Sequence, residues 1–111
     1  MANPWRGEVV LEVDGEARVL KLTLGALAEL EAAMEADSLV EVVERFETGR
    51  FRSRDVAALI LAGLRGGGWT GDAEAVARAD IEGGAAAAVQ AAVLLIARAF
   101  ALPGEASDGA V

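Results

Sequence analysis

The sequence predicts a small α+β domain in which an N-terminal β-hairpin packs on a bundle of four to five helices. The dipeptide Asp14-Gly15, between two β-prone runs, is typical of a tight hairpin turn. From Leu24 onward the apolar residues recur at helical spacing. The chain has 111 residues, enough for one modest core. We therefore expect a single domain over residues 1–103 and a loose C-terminal tail over residues 104–111.

The composition excludes several classes of function. The chain carries 18 acidic and 10 basic residues, a formal net charge of -8, which disfavours binding of nucleic acid through a broad basic face. It has no cysteine and no histidine, so disulfides, thiolate metal sites and the usual catalytic base are all missing. The sequence predicts a protein that is not an enzyme and that uses no cofactor or metal ion.

The apolar content does not predict a membrane protein. The start, MANPWRGE, lacks the pattern of a secretory signal. The most apolar run, residues 85–102, is rich in alanine and contains Gln90 and Arg98, which favours a buried or interface helix over a membrane span. We expect a cytoplasmic protein without a membrane partner.

Two strands are predicted on either side of the turn, Glu8–Val13 and Ala17–Leu22. Val9, Leu11 and Val13 share one face of the first strand. A lone hairpin is only marginally stable in water, so this face must lie on helices.

The first helix is expected from Leu24 to Glu35, with Thr23 as its N-cap and Gly25 either tolerated or in close contact with the hairpin. Its apolar face is expected to contain Leu24, Leu27 and Leu30.

The second helix is expected from Leu39 to Thr48, with Gly49 as its stop. A capping box precedes it, in which Ser38 caps the helix and Glu41 reaches back. The predicted buried stripe consists of Leu39, Val42, Val43 and Phe46.

The third helix is expected to start at a Ser53 cap and to run to Arg65, with Asp55 favourable in its first turn. Gly63 would let a neighbour approach closely. The triplet at residues 66–68 is read as a helix stop and flexible joint, since a phosphate loop would need a preceding strand and a following lysine. The predicted apolar face contains Val56, Leu59, Ile60 and Leu64.

Two more helices are expected, Ala73–Ile81 with Thr70 or Asp72 as its cap, and Ala85–Ala101. The last is apolar or alanine around most of its circumference, which predicts that the domain or a second copy covers most of its sides. One ridge of it consists of Val89, Val93, Ile96 and Phe100, and a smaller one of Ala88, Ala92, Leu95 and Ala99.

Charge is segregated along the chain. Six acidic residues and no basic ones occur between Glu29 and Glu44, followed by a basic cluster of Arg45, Arg50, Arg52 and Arg54. Two interpretations stay open: docking of copies or of a charged partner, or a solvated surface with weak intramolecular pairs. The helical carboxylates are interpreted as solubilising, not as a metal site.

The candidate residues for partner binding fall into three groups. The first is the basic loop with its aromatic residue, the second a tryptophan after the glycine triplet, and the third the larger ridge of the last helix. They are Arg50, Phe51, Arg52 and Arg54; Trp69; and Val89, Val93, Ile96 and Phe100.

Four segments resemble the gene transfer agent family of small phage-tail proteins. They are RGEVVLEVDGE, LTLGALAELEAAM, VVERFETGRF and the stretch from Asp55 to Trp69 ending in GLRGGGW. The resemblance implies a tail assembly chaperone that transiently binds the tape measure protein and the tail tube protein, with possible self-association. The alternative that it implies is a structural tail component, in the tube or associated with it, that is retained in the particle. No catalytic residues come with the family.

Overall fold

The computed structural model describes residues 7–100, which form a two-stranded antiparallel sheet and five α-helices. This confirms the predicted α+β class. The expected helix stop at Pro103-Gly104 and the expected tail lie outside the described residues. The elements are β1 (Val9–Val13), β2 (Glu16–Leu20), α1 (Leu24–Met34), α2 (Leu39–Glu47), α3 (Ser53–Gly66), α4 (Ala73–Arg78) and α5 (Gly84–Ala99).

The hairpin forms around the predicted turn. Asp14 and Gly15 both have positive φ, 53° and 82°, as a two-residue type I′ turn requires. The predicted inward face of β1 is confirmed, because Val9, Leu11 and Val13 are all buried. The strand β2 is shorter than predicted, since the Lys21 N–H leaves the hairpin and donates to the Gly63 carbonyl oxygen of α3 at 3.0 Å.

The central element is α3, which packs against α1, α4, α5 and β2. Its predicted apolar face is confirmed, with Val56 half-buried and the other three residues buried. Side chains from the hairpin and from four helices meet around it. The largest of the fully buried ones are Leu20, Leu30, Met34, Val42, Leu59, Ile60, Leu64 and Leu95.

The predicted apolar face of α1 is wrong at its first residue. Leu24 is 86 % exposed, whereas Leu30 is fully buried. A helix turns by about 100° per residue, so six residues place Leu24 about 120° away from Leu30. The buried line of α1 instead runs through Ala26, Leu30 and Met34 at four-residue spacing. A Cβ at Gly25 would meet only Thr23 Oγ1, at 3.9 Å, and no atom of the hairpin, which fits the interpretation as a tolerated glycine.

Of the caps predicted for the first three helices, two are confirmed and one is wrong. Thr23 accepts from the Ala26 N–H at 3.1 Å, and Ser38 accepts from the Glu41 N–H at 3.3 Å. Ser53 is not a cap but the first residue of α3. The start of α3 is held by Asp55, whose Oδ2 accepts from the Arg52 N–H at 2.9 Å.

The fourth helix is shorter than predicted. Asp72 caps it, accepting from the Ala75 N–H at 2.9 Å, and the helix ends at Arg78. Ile81 is not helical, because it forms an isolated antiparallel bridge with Val13 at the end of β1. The Asp14 N–H donates to the Asp80 carbonyl oxygen at 2.7 Å. The segment at residues 80–82 thus covers part of the open edge of β1.

Among residues 7–100, the domain covers the last helix on one side. Of the two expected sources of cover, the domain thus supplies only part, and cover by a second copy stays a prediction. The buried residues of the helix are Ala88, Ala91, Ala92, Leu95 and Ile96. The opposite side carries six exposed residues without a charge among them, namely Ala85, Ala86, Gln90, Val93, Leu94 and Ala97. The core ridge is therefore mainly the smaller of the two predicted ridges.

The glycines at the end of α3 allow close packing. The triplet ends the helix as predicted, since α3 stops at Gly66. A Cβ at Gly63 would lie 2.9 Å from Leu95 Cδ1 and 3.0 Å from the Cβ of Leu20. A Cβ at Gly66 would overlap the Lys21 carbonyl oxygen, and one at Gly67 would overlap the Val19 carbonyl oxygen. These contacts bring the backbone of α3 against the backbone of β2.

Candidate interaction surface

A groove of about 590 Å³ lies between the end of α1, the helix α2 and the start of α3. We call it the arginine groove. Both the acidic and the basic residues of the segregated charge line it. The acids lie at the end of α1, in α2 and in α3, and the bases lie in α2, in the α2–α3 loop and in α3. Its lining residues are Met34, Glu35, Glu41, Glu44, Arg45, Thr48, Arg50, Arg52, Arg54 and Asp55.

The arginine groove has a fixed polar framework built on Arg45. Its Nη1 donates to the Met34 carbonyl oxygen at 2.9 Å, at the end of α1, and its Nη2 donates to Glu41 Oε2 at 2.8 Å. Asp55, only 3 % exposed, has Oδ1 at 3.8 Å from the same guanidinium. One arginine thus connects α1, α2 and α3, and its charge is shared by two carboxylates.

Contacts within this framework lower the pKa of the Glu41 carboxylate. The hydrogen bond from the Asp37 N–H lowers the pKa of Glu41 below its ordinary value of 4.5, and the hydrogen bond from Arg45 lowers it further. The same pair raises the pKa of Arg45. In the predicted capping box Glu41 reaches back to the Ser38 N–H. The structure instead places its Oε1 2.8 Å from the Asp37 nitrogen.

We expect Glu41→Gln to reduce the acid sensitivity of the fold. Because the pKa of Glu41 is lower in the folded chain, the ionised carboxylate stabilises the fold above pH 4.5, and this contribution is lost as the pH falls through the lowered pKa. The difference in melting temperature between wild type and Glu41→Gln should therefore shrink as the pH falls below 4.5. Thermal melts between neutral and acidic pH measure it.

Glu44→Gln is the matched control for that experiment. Glu44 lies on the same helix and lines the same groove, but its side chain forms no ion pair among residues 7–100. The substitution removes a carboxylate from the same helix and leaves the Asp37–Glu41–Arg45 contacts in place. An equal change in both variants would show that the general charge of the helix matters, and not the Asp37–Glu41–Arg45 contacts.

Most basic side chains of the described chain are already paired. Arg54 lies 3.8 Å from Glu35 and Arg65 lies 3.5 Å from Glu29, so much of the segregated charge pairs within the molecule. Arg50 and Arg52 are exposed and form no ion pair with any described residue. The interpretation of the basic cluster as intramolecular pairs therefore fits Arg45 and Arg54 but not these two.

The two aromatic candidates are partly buried. Phe51 stacks on Phe46, with ring centroids 4.9 Å apart and planes inclined by 10°, and both rings pack in or against the core. Trp69 is half-buried and also packs against the core, and a Cβ at Gly71 would overlap its ring. The ring of Phe51 anchors the loop that carries Arg50 and Arg52.

A second groove of about 290 Å³ adjoins the first. We call it the alanine groove; it lies between α1 and α3 and shares Arg54 with the arginine groove. Small apolar side chains dominate its wall, and Glu29 and Arg54 supply its charged groups. Its lining residues are Glu29, Leu30, Ala33, Arg54, Ala57, Ala58, Leu61, Ala62 and Ala73.

The candidate residues of α5 do not join either groove. Ile96 is buried in the core, Val89 and Phe100 are half-buried, and Val93 is 42 % exposed. Leu94, which the sequence did not single out, is equally exposed. The structure thus brings Arg50, Arg52 and Arg54 together in one groove and places the α5 candidates elsewhere.

Reasoning from the sequence missed the alanine groove. Its alanines come from α1, α3 and α4, and each looks like an ordinary helix former in its own segment. Only their meeting at the α1–α3 contact makes a groove. A pattern of small residues at three- and four-residue spacing, Ala57, Ala58, Leu61 and Ala62, is the one available signal.

Neither a metal cluster nor a membrane span is found in the part of the chain that the structure describes. No group of three or more acidic side chains within residues 7–100 is placed to hold a metal ion. No helix there is long and apolar enough to cross a membrane.

A family model described as phage tail tube protein, GTA-gp10, matches residues 6–102. The match includes all described strands and helices. No curated protein and no solved structure gives a significant match.

Proposed function

Because the chain belongs to the family of phage tail tube proteins described as GTA-gp10, we propose that it is a non-catalytic structural component of the tail of a gene transfer agent or phage-like particle. In this proposal it stays in the particle, in the tube or bound to it. The observation that carries the proposal is the family match over residues 6–102.

A tail component acts through surfaces, and the chain offers several for contact with other tail proteins. Arg50 and Arg52, exposed and without an ion pair within residues 7–100, form one of them. The uncharged outer side of α5, with Val93 and Leu94, supports a second, where self-association would cover apolar area. The other candidate residues are at least half-buried, so in this proposal they would support these surfaces and not contact the partner. They are Phe51, Trp69, Val89, Ile96 and Phe100.

A transient assembly chaperone is the second candidate function. The segments in which the chain resembles the gene transfer agent family support it, and so does the exposed polar surface of the arginine groove, which suits reversible binding. Such a chaperone would bind the tape measure protein and the tail tube protein in the cytoplasm and leave before the particle is complete.

The amount of protein in purified particles distinguishes the two functions. We expect quantitative mass spectrometry with labelled standards to find this chain in purified particles at a copy number comparable to other tail proteins. A chaperone would instead be absent from particles but would copurify with the tape measure protein from cells during assembly. Absence from both samples would contradict a tail role altogether.

A further inference from the structure

The two adjoining grooves present charged and apolar surface side by side. The arginine groove contributes Arg50 and Arg52, exposed and without an ion pair among the described residues. The alanine groove begins where Arg54 lines both cavities. A ligand that spans Arg54 would therefore meet guanidinium groups at one end and small apolar side chains at the other.

Arg50 and Arg52 form no ion pair with any residue that the structure describes, although the chain has 18 acids for 10 bases. The loop that carries them is held in place, since the Arg50 N–H donates to the Arg45 carbonyl oxygen at 2.9 Å and the Arg52 N–H donates to Asp55. Arginine held in this way is suited to bidentate binding of a carboxylate.

The size and lining of the alanine groove fit one or two aliphatic side chains. Ala33 is exposed at its rim, while Ala57, Ala58 and Leu61 are half-buried along its wall. Small side chains leave room for a partner's leucine or isoleucine between α1 and α3. Burial of such a side chain would add the apolar part of the binding energy.

We propose that the arginine groove and the alanine groove together bind one helical segment of a partner protein that carries a pair of carboxylates beside a pair of aliphatic side chains. The carboxylates bind Arg50 and Arg52, and the aliphatic side chains fill the alanine groove. This deepens the proposed function by stating the chemistry of the partner, and it rests on that function only in assuming that a partner protein exists. Glu44 also lines the arginine groove and forms no ion pair with a described residue, so its charge opposes binding of the carboxylates.

The test uses the full chain and an array of synthetic helical peptides in which the spacing between a Glu pair and a Leu pair is varied. We expect binding at one or a few spacings, measured by fluorescence anisotropy at low salt. Replacing Glu by Gln in the bound peptide should weaken binding by about tenfold, and replacing Leu by Ser by a similar factor. The array contains no tail-protein sequence, so its failure is separate from absence of the chain from particles.

Variants of the protein locate the binding. R50E/R52E should weaken peptide binding by at least about tenfold, since both guanidinium contacts are reversed in sign. The matched control is R18E/R78E, which changes the net charge equally outside both grooves, at the half-buried Arg18 and the exposed Arg78. E44Q should strengthen binding, by about twofold, because it removes a repelling charge.

The alanine groove has its own matched pair. Ala33→Gln places a larger neutral side chain at the rim of the groove, whereas Ala32→Gln makes the same change at the neighbouring residue, which is exposed and does not line the groove. Only Ala33→Gln should weaken binding, by about fivefold or more. Both residues are exposed in α1, so both variants should keep the circular dichroism spectrum of the wild type.

Several outcomes would overturn the proposal. One is that no peptide binds at any spacing. Another is that R18E/R78E weakens peptide binding as much as R50E/R52E does. A third is that the protein binds a single-stranded oligonucleotide in preference to the peptides. Sedimentation adds one more: a wild-type dimer that R50E/R52E dissociates would show that a second copy occupies the grooves.

Discussion

Replacing Gly66 or Gly67 by alanine is expected to destabilise the fold by at least about 3 kcal/mol, although each change adds a single methyl group. The new Cβ would overlap the Lys21 carbonyl oxygen in the first case and the Val19 carbonyl oxygen in the second. Both obstacles are backbone atoms at the end of β2, so no side-chain rotation can relieve the overlap. The end of α3 would have to move away from the hairpin.

That movement would also break the contacts that the two elements share. The Lys21 N–H would lose the Gly63 carbonyl oxygen, and the fully buried Leu20 would lose its close contact with α3. A domain of this size is stabilised by only about 5 to 15 kcal/mol in total. We therefore expect the melting temperature of either variant to fall by about 12 to 24 °C.

Gly25→Ala is the control for this prediction. Gly25 lies in the first turn of α1, and a Cβ there would meet only Thr23 Oγ1, at 3.9 Å. Alanine should leave the fold unchanged or stabilise it by up to about 1 kcal/mol, because it is the better helix former. Chemical denaturation of the three variants measures the free energies of unfolding. A Gly66→Ala variant as stable as Gly25→Ala would contradict the close approach of α3 and β2.

The parts of the fold that the sequence predicted correctly are those that depend on neighbouring residues. The turn at Asp14-Gly15 needs two residues that tolerate positive φ, and the Thr23 and Ser38 caps need a hydroxyl three residues before a free N–H. The buried stripe of α2 also follows from one amphipathic segment, since Val42 and Phe46 are buried and Leu39 and Val43 half-buried. Local chemistry is sufficient for such features.

The features of the fold that were missed depend on contacts between segments that are far apart in the sequence. Nothing near Gly66 and Gly67 in the sequence shows that the carbonyl oxygens of β2 lie against them. The bridge between Ile81 and Val13 likewise joins residues far apart in the chain, and it overrides the helical pattern of Ala73–Ile81. A glycine triplet alone indicates a stop or a joint, and only the tertiary contact reveals close packing.

The candidate surface divides in the same way. The cluster of basic residues was predicted from the amino-acid sequence, and Arg50, Arg52 and Arg54 do line one groove. Which of them stay without an ion pair depends on the placement of Glu35, Glu41 and other acids of α1 and α2. The alanine groove could not be predicted, because small side chains carry no signal of their own until two helices meet.

The orientation of α5 could not be predicted from the sequence, because most of its circumference is apolar or alanine. The sequence marks two ridges and offers the one with the larger side chains, including Val93, as a candidate for partner binding. The structure turns alanines toward α3, where Ala92 is fully buried and Gly63 allows a close approach. The two helices pack closely through small residues, and Leu95 fills the space beside Gly63 and Leu20.

Truncating adjacent leucines of α5 tests this orientation. Leu95 is fully buried, so Leu95→Ala removes core contacts and leaves a cavity, and we expect a loss of about 3 kcal/mol in the free energy of unfolding. Leu94 is 42 % exposed on the opposite side, and Leu94→Ala should cost less than about 1 kcal/mol. The same substitution at neighbouring positions cancels any difference in helix propensity.

The ratio of the two losses, measured by urea unfolding of the isolated protein, reports which side of α5 faces the core. A large loss for Leu94→Ala and a small one for Leu95→Ala would mean that the helix is turned the other way. If the purified chain self-associates through the outer side of α5, Leu94→Ala should instead weaken that association while the monomer stays stable. The dependence of the melting temperature on protein concentration separates the two effects, because only a contact between copies makes stability concentration-dependent.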